Sequence, residues 1–144
     1  MKHLNESLLN SIHRFSRTLR QKRMSTDLVF HEFIILRNIL RIQSEGNINV
    51  YPSDLSERLN LSRSYVTAVL NSLDTKQLLS RTVDNVDRRR IKIEITDKGR
   101  RIFDNMAKVE LEQADILIKN LSEEKTILLI DLLEQASNIL NKGE

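Results

Sequence analysis

Residues 79–99 read LSRTVDNVDRRRIKIEITDKG, and this stretch decides the fold. Ile91, Ile93 and Ile95 alternate with Arg90, Lys92 and Glu94. A period of two built from β-branched residues is the pattern of a strand with one buried face. A shorter strand, Ser80 to Val83, precedes it, and Asp84 to Arg88 supplies a polar turn, so the two are expected to pair as a hairpin. Arg88, Arg89 and Arg90 crowd that turn. Adjacent like charges on a protrusion repel one another unless an anion lies beside them. A phosphate backbone is such an anion, and a narrow minor groove also draws in arginine. Asp87 is placed to hold one arginine by a charge-assisted fork, which fixes its aim. The competing reading is a charged turn that keeps a sheet edge from pairing with other chains.

Upstream of the hairpin, Ser62 is the expected N-cap of a helix running to about Lys76. Val66, Val69, Leu70 and Leu73 form one apolar stripe, while Arg63, Ser64, Tyr65, Thr67 and Asn71 face outward. Short hydrogen-bonding side chains on a helix can reach base edges and phosphates in a major groove. The free amides of the helix N-terminus add to that. The competing reading is a solvated helix face with two caps. Pro52 suits the first turn of a shorter helix, Pro52 to Leu59, and Ser53 in that turn joins the DNA-facing candidates. Asn60 and Leu61 make a tight connection between the two helices. Two helices followed by a hairpin is the winged-helix layout, and helix and wing together favour double-stranded DNA as the partner.

Further out, Leu4, Leu8, Ile12, Phe15 and Leu19 step by three and four along a first helix. Asp27 is the expected cap of a second, deeply buried helix carrying Phe30, Phe33, Ile34, Ile35 and Leu40. Thr96 caps a long fifth helix and Ser122 a sixth, with Glu123 and Glu124 in its first turn. The expected class is mainly α with a small β-hairpin wing: a winged helix-turn-helix with long terminal helices. It is read as a single domain over residues 1–144, with a DNA-binding part at 27–100 and a helical dimerisation part at 1–22 and 101–144. Residues 102–140 are rich in apolar positions, among them Ile116, Leu128, Leu132 and Leu140. Either these fold back over their own domain or they join a second copy, and the homodimer is favoured because isologous pairing is the commonest assembly. Such symmetry sets two recognition helices about 34 Å apart, one DNA turn.

Composition narrows the function classes. Residues 1–50 carry 8 Lys/Arg against 4 Asp/Glu, residues 51–100 carry 10 against 7, and residues 101–144 carry 5 against 9. A basic front and an acidic tail fit a nucleic-acid face set apart from an assembly end. Cysteine is absent, which removes disulfides, thiolate metal sites and thiol redox sensing. No apolar run reaches the length of a membrane span, and a cytoplasmic location is expected. Three scattered histidines and no phosphate-cradling glycine loop argue against an enzyme, and no cofactor or metal is expected. His13, Arg17 and Arg20 fall near one helix face and are candidates for holding a carboxylate or phenolate, against the plainer reading of a solvated basic face. His31 stands beside Glu32 without a third metal ligand at useful spacing. It reads as a partly buried helix residue and is grouped with the candidates for a small anionic or phenolic effector. A winged helix that docks on proteins without touching an operator is the alternative, since fold does not fix function.

Leu61-Ser62-Arg63-Ser64-Tyr65-Val66-Thr67, together with the run from Asp87 to Gly99, resembles the MarR family of bacterial regulators. The Asp-x-Arg wing and the Thr-x-x-Gly after the strand are the most specific marks. The element order matches along the whole chain, and the motifs match within residues 51–100. The resemblance implies a homodimer joined through terminal helices. It also implies that Asp87 braces Arg89, that Arg89 enters a minor groove, and that a near-palindromic operator is bound, usually by a repressor that a ligand releases. Tyr51 departs from the pattern, standing where these proteins often have Thr or Ser capping the third helix. The absence of cysteine sets the chain apart from the peroxide-sensing branch, and the absence of histidine on the fifth helix sets it apart from the zinc-sensing one. The staphylococcal accessory-regulator group shares the same wing chemistry.

Overall fold

A computed structural model describes residues 1–23 and 28–143. In chain order the elements are α1 (Lys2–Arg23), α2 (Phe30–Ser44), α3 (Pro52–Leu59), α4 (Arg63–Thr75), β1 (Leu79–Val83), β2 (Ile91–Ile95), α5 (Asp97–Leu121) and α6 (Glu123–Asn141). The described residues divide into two compact units, Met1–Met106 and Ala107–Glu144.

The hairpin forms because its register lets one face close on the helices. β1 and β2 pair antiparallel from Leu79 opposite Ile95 to Val83 opposite Ile91. A third short segment joins them, since the Ile93 N–H donates to the Val50 carbonyl at 2.8 Å. Ile93, Leu79 and Val50 are buried. The expected single buried face is therefore present only near the root. Ile91 lies exposed, because alternation assigns a face but the packed body ends before the distal hairpin.

α2 is the centre of the core. Phe33, Ile35, Leu36, Ile39 and Ile42 are buried along it, whereas Phe30 is exposed and Ile34 and Leu40 only half-buried. Val66, Val69, Leu70 and Leu73 of α4 and Leu55 of α3 pack into the same core. From α5, Met106 is buried and the Phe103 ring stacks on Phe33 at 5.0 Å. Burial of this kind contributes roughly 1.5–3 kcal/mol per large side chain. Asp27, the expected cap of α2, lies outside the described residues. The helix starts at Phe30, and the Glu32 carboxylate accepts the Val29 N–H at 3.0 Å. Glu32 also receives Lys76 Nζ at 2.6 Å and Ser72 Oγ at 2.8 Å, which pins α4 to α2. Burial pushes its carboxyl up, but these donors outweigh it and hold it below the usual glutamate range.

Three junctions follow local chemistry. Asn60 takes the left-handed conformation (φ 51°) between α3 and α4, which an Asn tolerates. Thr96 Oγ1 accepts the Gly99 N–H at 3.0 Å and donates to the Gln77 carbonyl at 2.8 Å, capping α5 while tying it to the end of α4. A Cβ at Gly99 would collide with the Leu78 carbonyl oxygen, so the Thr-x-x-Gly sequence is required by a close backbone approach.

Other helical surface is left uncovered. Leu4, Leu8, Leu9, Ile12 and Phe15 of α1 are exposed, and no residue from 107 to 143 is buried. In the second unit Ser122 caps α6 through the Lys125 N–H at 3.4 Å, as its sequence suggests. Ile116, Leu128, Leu132, Leu133, Ile139 and Leu140 all face outward.

Candidate nucleic-acid interface

Ser62 ends the turn after α3 and accepts the Tyr65 N–H at 3.2 Å, which fixes where α4 begins. From that start Arg63, Ser64 and Thr67 are exposed on the face opposite the buried valines and leucines. Ser64 Oγ lies 3.3 Å from Ser62 Oγ. Tyr65 differs from the expectation of a fully outward residue. It is half-buried, with its ring edge-on to His31 at 5.4 Å, and His31 in turn meets Phe30 at 5.7 Å. His31 is itself exposed rather than partly buried, since it sits on the outer side of the first turn of α2. Asn71 is exposed, but its carboxamide oxygen accepts Arg81 Nη2 at 2.8 Å, which directs it toward β1.

The wing turn is built from its own backbone and two aspartates. The Asp84 N–H donates to the Arg90 carbonyl and the Arg90 N–H to the Asp87 carbonyl, both at 3.0 Å. Asp84, only 7% exposed, accepts the Asp87 N–H at 3.1 Å. Asp87 then holds Arg89 in a fork. One carboxylate oxygen takes the Arg89 N–H at 3.0 Å and Nε at 3.2 Å, and the other takes Nη2 at 3.4 Å. The Arg89 side chain is nevertheless 91% exposed, so it is aimed without being covered. The Arg89 side chain, followed by its backbone N–H, keeps the Asp87 carboxyl below the usual range. Arg88 is exposed at the turn, and Arg90 lies over the Tyr51 ring at 3.6 Å.

These parts meet at one cleft of about 380 Å³, lined by Ser53 of α3, Arg63 and Thr67 of α4, and Arg89 and Arg90 of the wing. Three guanidinium groups and two hydroxyls converge there, a donor set suited to phosphate oxygens and base edges. Ser56 lines the same cleft, and its buried Oγ has no hydrogen-bond partner among the described residues. Sequence reading missed Ser56, Arg81 and Asp84. A serine mid-helix and an arginine mid-strand carry no local signal. Asp84 could have been found as the residue opening the polar turn. Tyr51 does not cap α3 with its side chain. Asp54 Oδ2 accepts the Tyr51 N–H at 2.9 Å instead. Of the effector candidates, His13, Arg17 and Arg20 lie exposed along α1, whereas the ring contacts of His31 are with Phe30 and Tyr65. Glu32, the carboxylate next to His31, is committed to Lys76 and Ser72, and no metal-binding group of three ligands occurs among the described residues.

A sequence model of the MarR family matches residues 23–91. YdgJ, an HTH-type transcriptional regulator of Bacillus subtilis, is 32% identical over 92 residues, which cover 64% of this chain and 56% of that protein. The match thus spans little more than half of that relative. The S. aureus MepR–DNA complex shares the fold with a TM-score of 0.73 at 24% identity, covering 93% of this chain and 96% of that one. BpsR of Bordetella bronchiseptica, whose DNA binding is regulated by 6-hydroxynicotinic acid, gives 0.70 at 18% identity, covering 92% and 91%.

Proposed function

We propose that the chain, which matches the MarR family model over residues 23–91, is a DNA-binding transcription regulator of that family rather than an enzyme, and that it acts as a homodimeric repressor on a near-palindromic operator. α4 lies in the major groove, with Arg63, Ser64, Tyr65 and Thr67 toward bases and phosphates. Arg89, braced by Asp87, enters the neighbouring minor groove, while Ser53 and Arg88 meet the backbone. Asn71 contributes through the Arg81 it holds. The observation that carries this reading is the shared cleft, where hydroxyls of α3 and α4 face two wing arginines. The outward side chains of α4 include no large aliphatic group of the kind a protein-docking helix presents, which disfavours a pure interaction module.

The homodimer is supported by the uncovered apolar stripes of α1 and of residues 107–143, so that residues 1–22 and 101–144 act as dimerisation arms. Release by a small anionic or phenolic molecule is supported by the regulation of BpsR and by the basic residues His13, Arg17 and Arg20, with His31 as a further contact. Among the described residues no helix is long and apolar enough to cross a membrane, which agrees with work on DNA in the cytoplasm.

The test is anisotropy titration with DNA from the gene's own promoter region. Affinity falls steeply between about 50 and 200 mM salt, and Arg89→Ala weakens it about tenfold and lowers the salt slope by about 1. Footprinting shows two half-sites one turn apart, and an added phenolic ligand removes the protection. Absence of any binding at low salt would sink the reading.

A further inference from the structure

We propose that Tyr51 is a positioning residue of the interface, propping the wing against α3 so that Arg88 and Arg89 are held out to the DNA. What the wing does rests on the DNA-binding reading above; how the wing is held does not.

The backbone of Tyr51 is locked from both sides. Its N–H donates to Asp54 Oδ2 at 2.9 Å, and its carbonyl accepts the Asp54 N–H at 3.0 Å. The preceding residue, Val50, is bonded to Ile93 of β2 at 2.8 Å. With its root fixed, the ring reaches the residue that closes the wing turn. The Arg90 guanidinium lies over its face at 3.6 Å, and the Asp84 carboxylate is a near neighbour of its hydroxyl. Burial, and then the neighbouring Asp84 carboxylate, push the phenol up. Asp84 and Arg90 are also joined backbone to backbone at 3.0 Å, so by holding Arg90 the ring is tied to both ends of a closed loop.

This arrangement divides the labour among three adjacent arginines. Arg88 is exposed and Arg89 is aimed by Asp87, whereas Arg90 places its charge on an aromatic face and serves as a strut. It also explains the departure at position 51. A Ser or Thr would cap α3 but is too short to reach the wing. Here Asp54 fixes the start of α3 by accepting the Tyr51 N–H, and the tyrosine ring is free to reach the wing.

The experiment compares Tyr51→Phe, which keeps the ring, with Tyr51→Leu, which loses ring and hydroxyl. Without DNA, hydrogen exchange reads the Asp87 and Arg90 amides, and NMR reads the ring-current shift of the Arg90 δ-protons. Tyr51→Leu should deprotect both amides and abolish the shift, while Tyr51→Phe retains most of each. Arg90→Gln should deprotect the same amides from the other side of the contact. On promoter DNA, Tyr51→Leu should bind about tenfold more weakly, with a salt slope smaller by about 1–2 although no charge is removed, and Tyr51→Phe should recover most of both. A misfolded fraction lowers affinity equally at every salt concentration and cannot change that slope. Protected wing amides in Tyr51→Leu, or an unchanged slope, would overturn the proposal. If the parent protein binds no DNA yet Tyr51→Leu still deprotects the wing, the tether stands and the DNA-binding reading fails.

Discussion

Ile39 and Ile139 carry the same side chain and meet opposite surroundings. Ile39 in α2 is fully buried, whereas Ile139 in α6 is 70% exposed. The contrast extends to their neighbourhoods. Around α2 the winged helix closes its own core with Phe33, Leu36, Leu55 and Leu73. α6 and the C-terminal half of α5 bury nothing fully, and the apolar residues of α1 also face outward. A helix gains most of its stability from covering an apolar face, and each Å² left in water forgoes about 25 cal/mol. The winged helix therefore reads as self-sufficient, whereas the arms leave apolar surface that the proposed homodimer would cover.

The most severe way to break that contrast is to charge the arms. Leu128→Glu with Leu132→Glu should turn the proposed dimer into a monomer by sedimentation equilibrium. Operator affinity should fall about 10²–10⁴-fold, because the second half-site becomes a separate encounter. A charged variant that sediments as a dimer would place the interface elsewhere. Next in size is the matched pair of isoleucines. Ile39→Ala should lower the unfolding free energy by about 2–5 kcal/mol. Ile139→Ala, made in the charged monomeric background, should change it by about 0.5 kcal/mol or less. Equal losses in urea titrations would erase the distinction between core and arm.

A smaller effect sharpens the same comparison through pH. Glu32 is almost fully buried, and its carboxyl sits below the usual glutamate value, whereas the acidic residues of α6 are exposed. A depressed acid contributes stability that is present above the unfolded pKa of about 4.3 and lost as pH falls through the lower folded value. Glu32→Gln should therefore cost about 1–3 kcal/mol at pH 6 and progressively less below pH 4. Glu134→Gln, on exposed α6, should change stability by about 0.5 kcal/mol or less. A Glu32→Gln penalty that persists at pH 2 would mean that the packing of the side chain matters rather than its charge.

What could be read in advance was whatever short-range chemistry dictates. Ser62, Thr96 and Ser122 each cap a helix through a residue three positions on, and the period of two at 91–95 needs no distant partner to be recognised. The convergence of Ser53, Arg63, Thr67 and Arg89 also followed, because helix faces and a hairpin place them without side-chain detail. Most of the misses depend on contacts between different elements. Asn71 turns to Arg81 only because β1 passes beside α4. Tyr65 is drawn in by His31 on α2, and Arg90 by Tyr51 ahead of α3. Ile91 shows a related gap, since a buried face can be inferred from alternation but the reach of the body beneath it cannot.

The collision a Cβ at Gly99 would suffer has a mechanical consequence. Where side chains meet, rotamer changes absorb a push; where backbone lies on backbone there is nothing to give. The base of the hairpin is thus clamped like the fixed end of a cantilever, with five-residue strands of about 17 Å projecting from it. Small rotations at a clamped end grow with distance toward the free end. A substitution at Gly99, which is not among the proposed DNA contacts, should therefore misplace the arginine tip more than many changes made nearer to it.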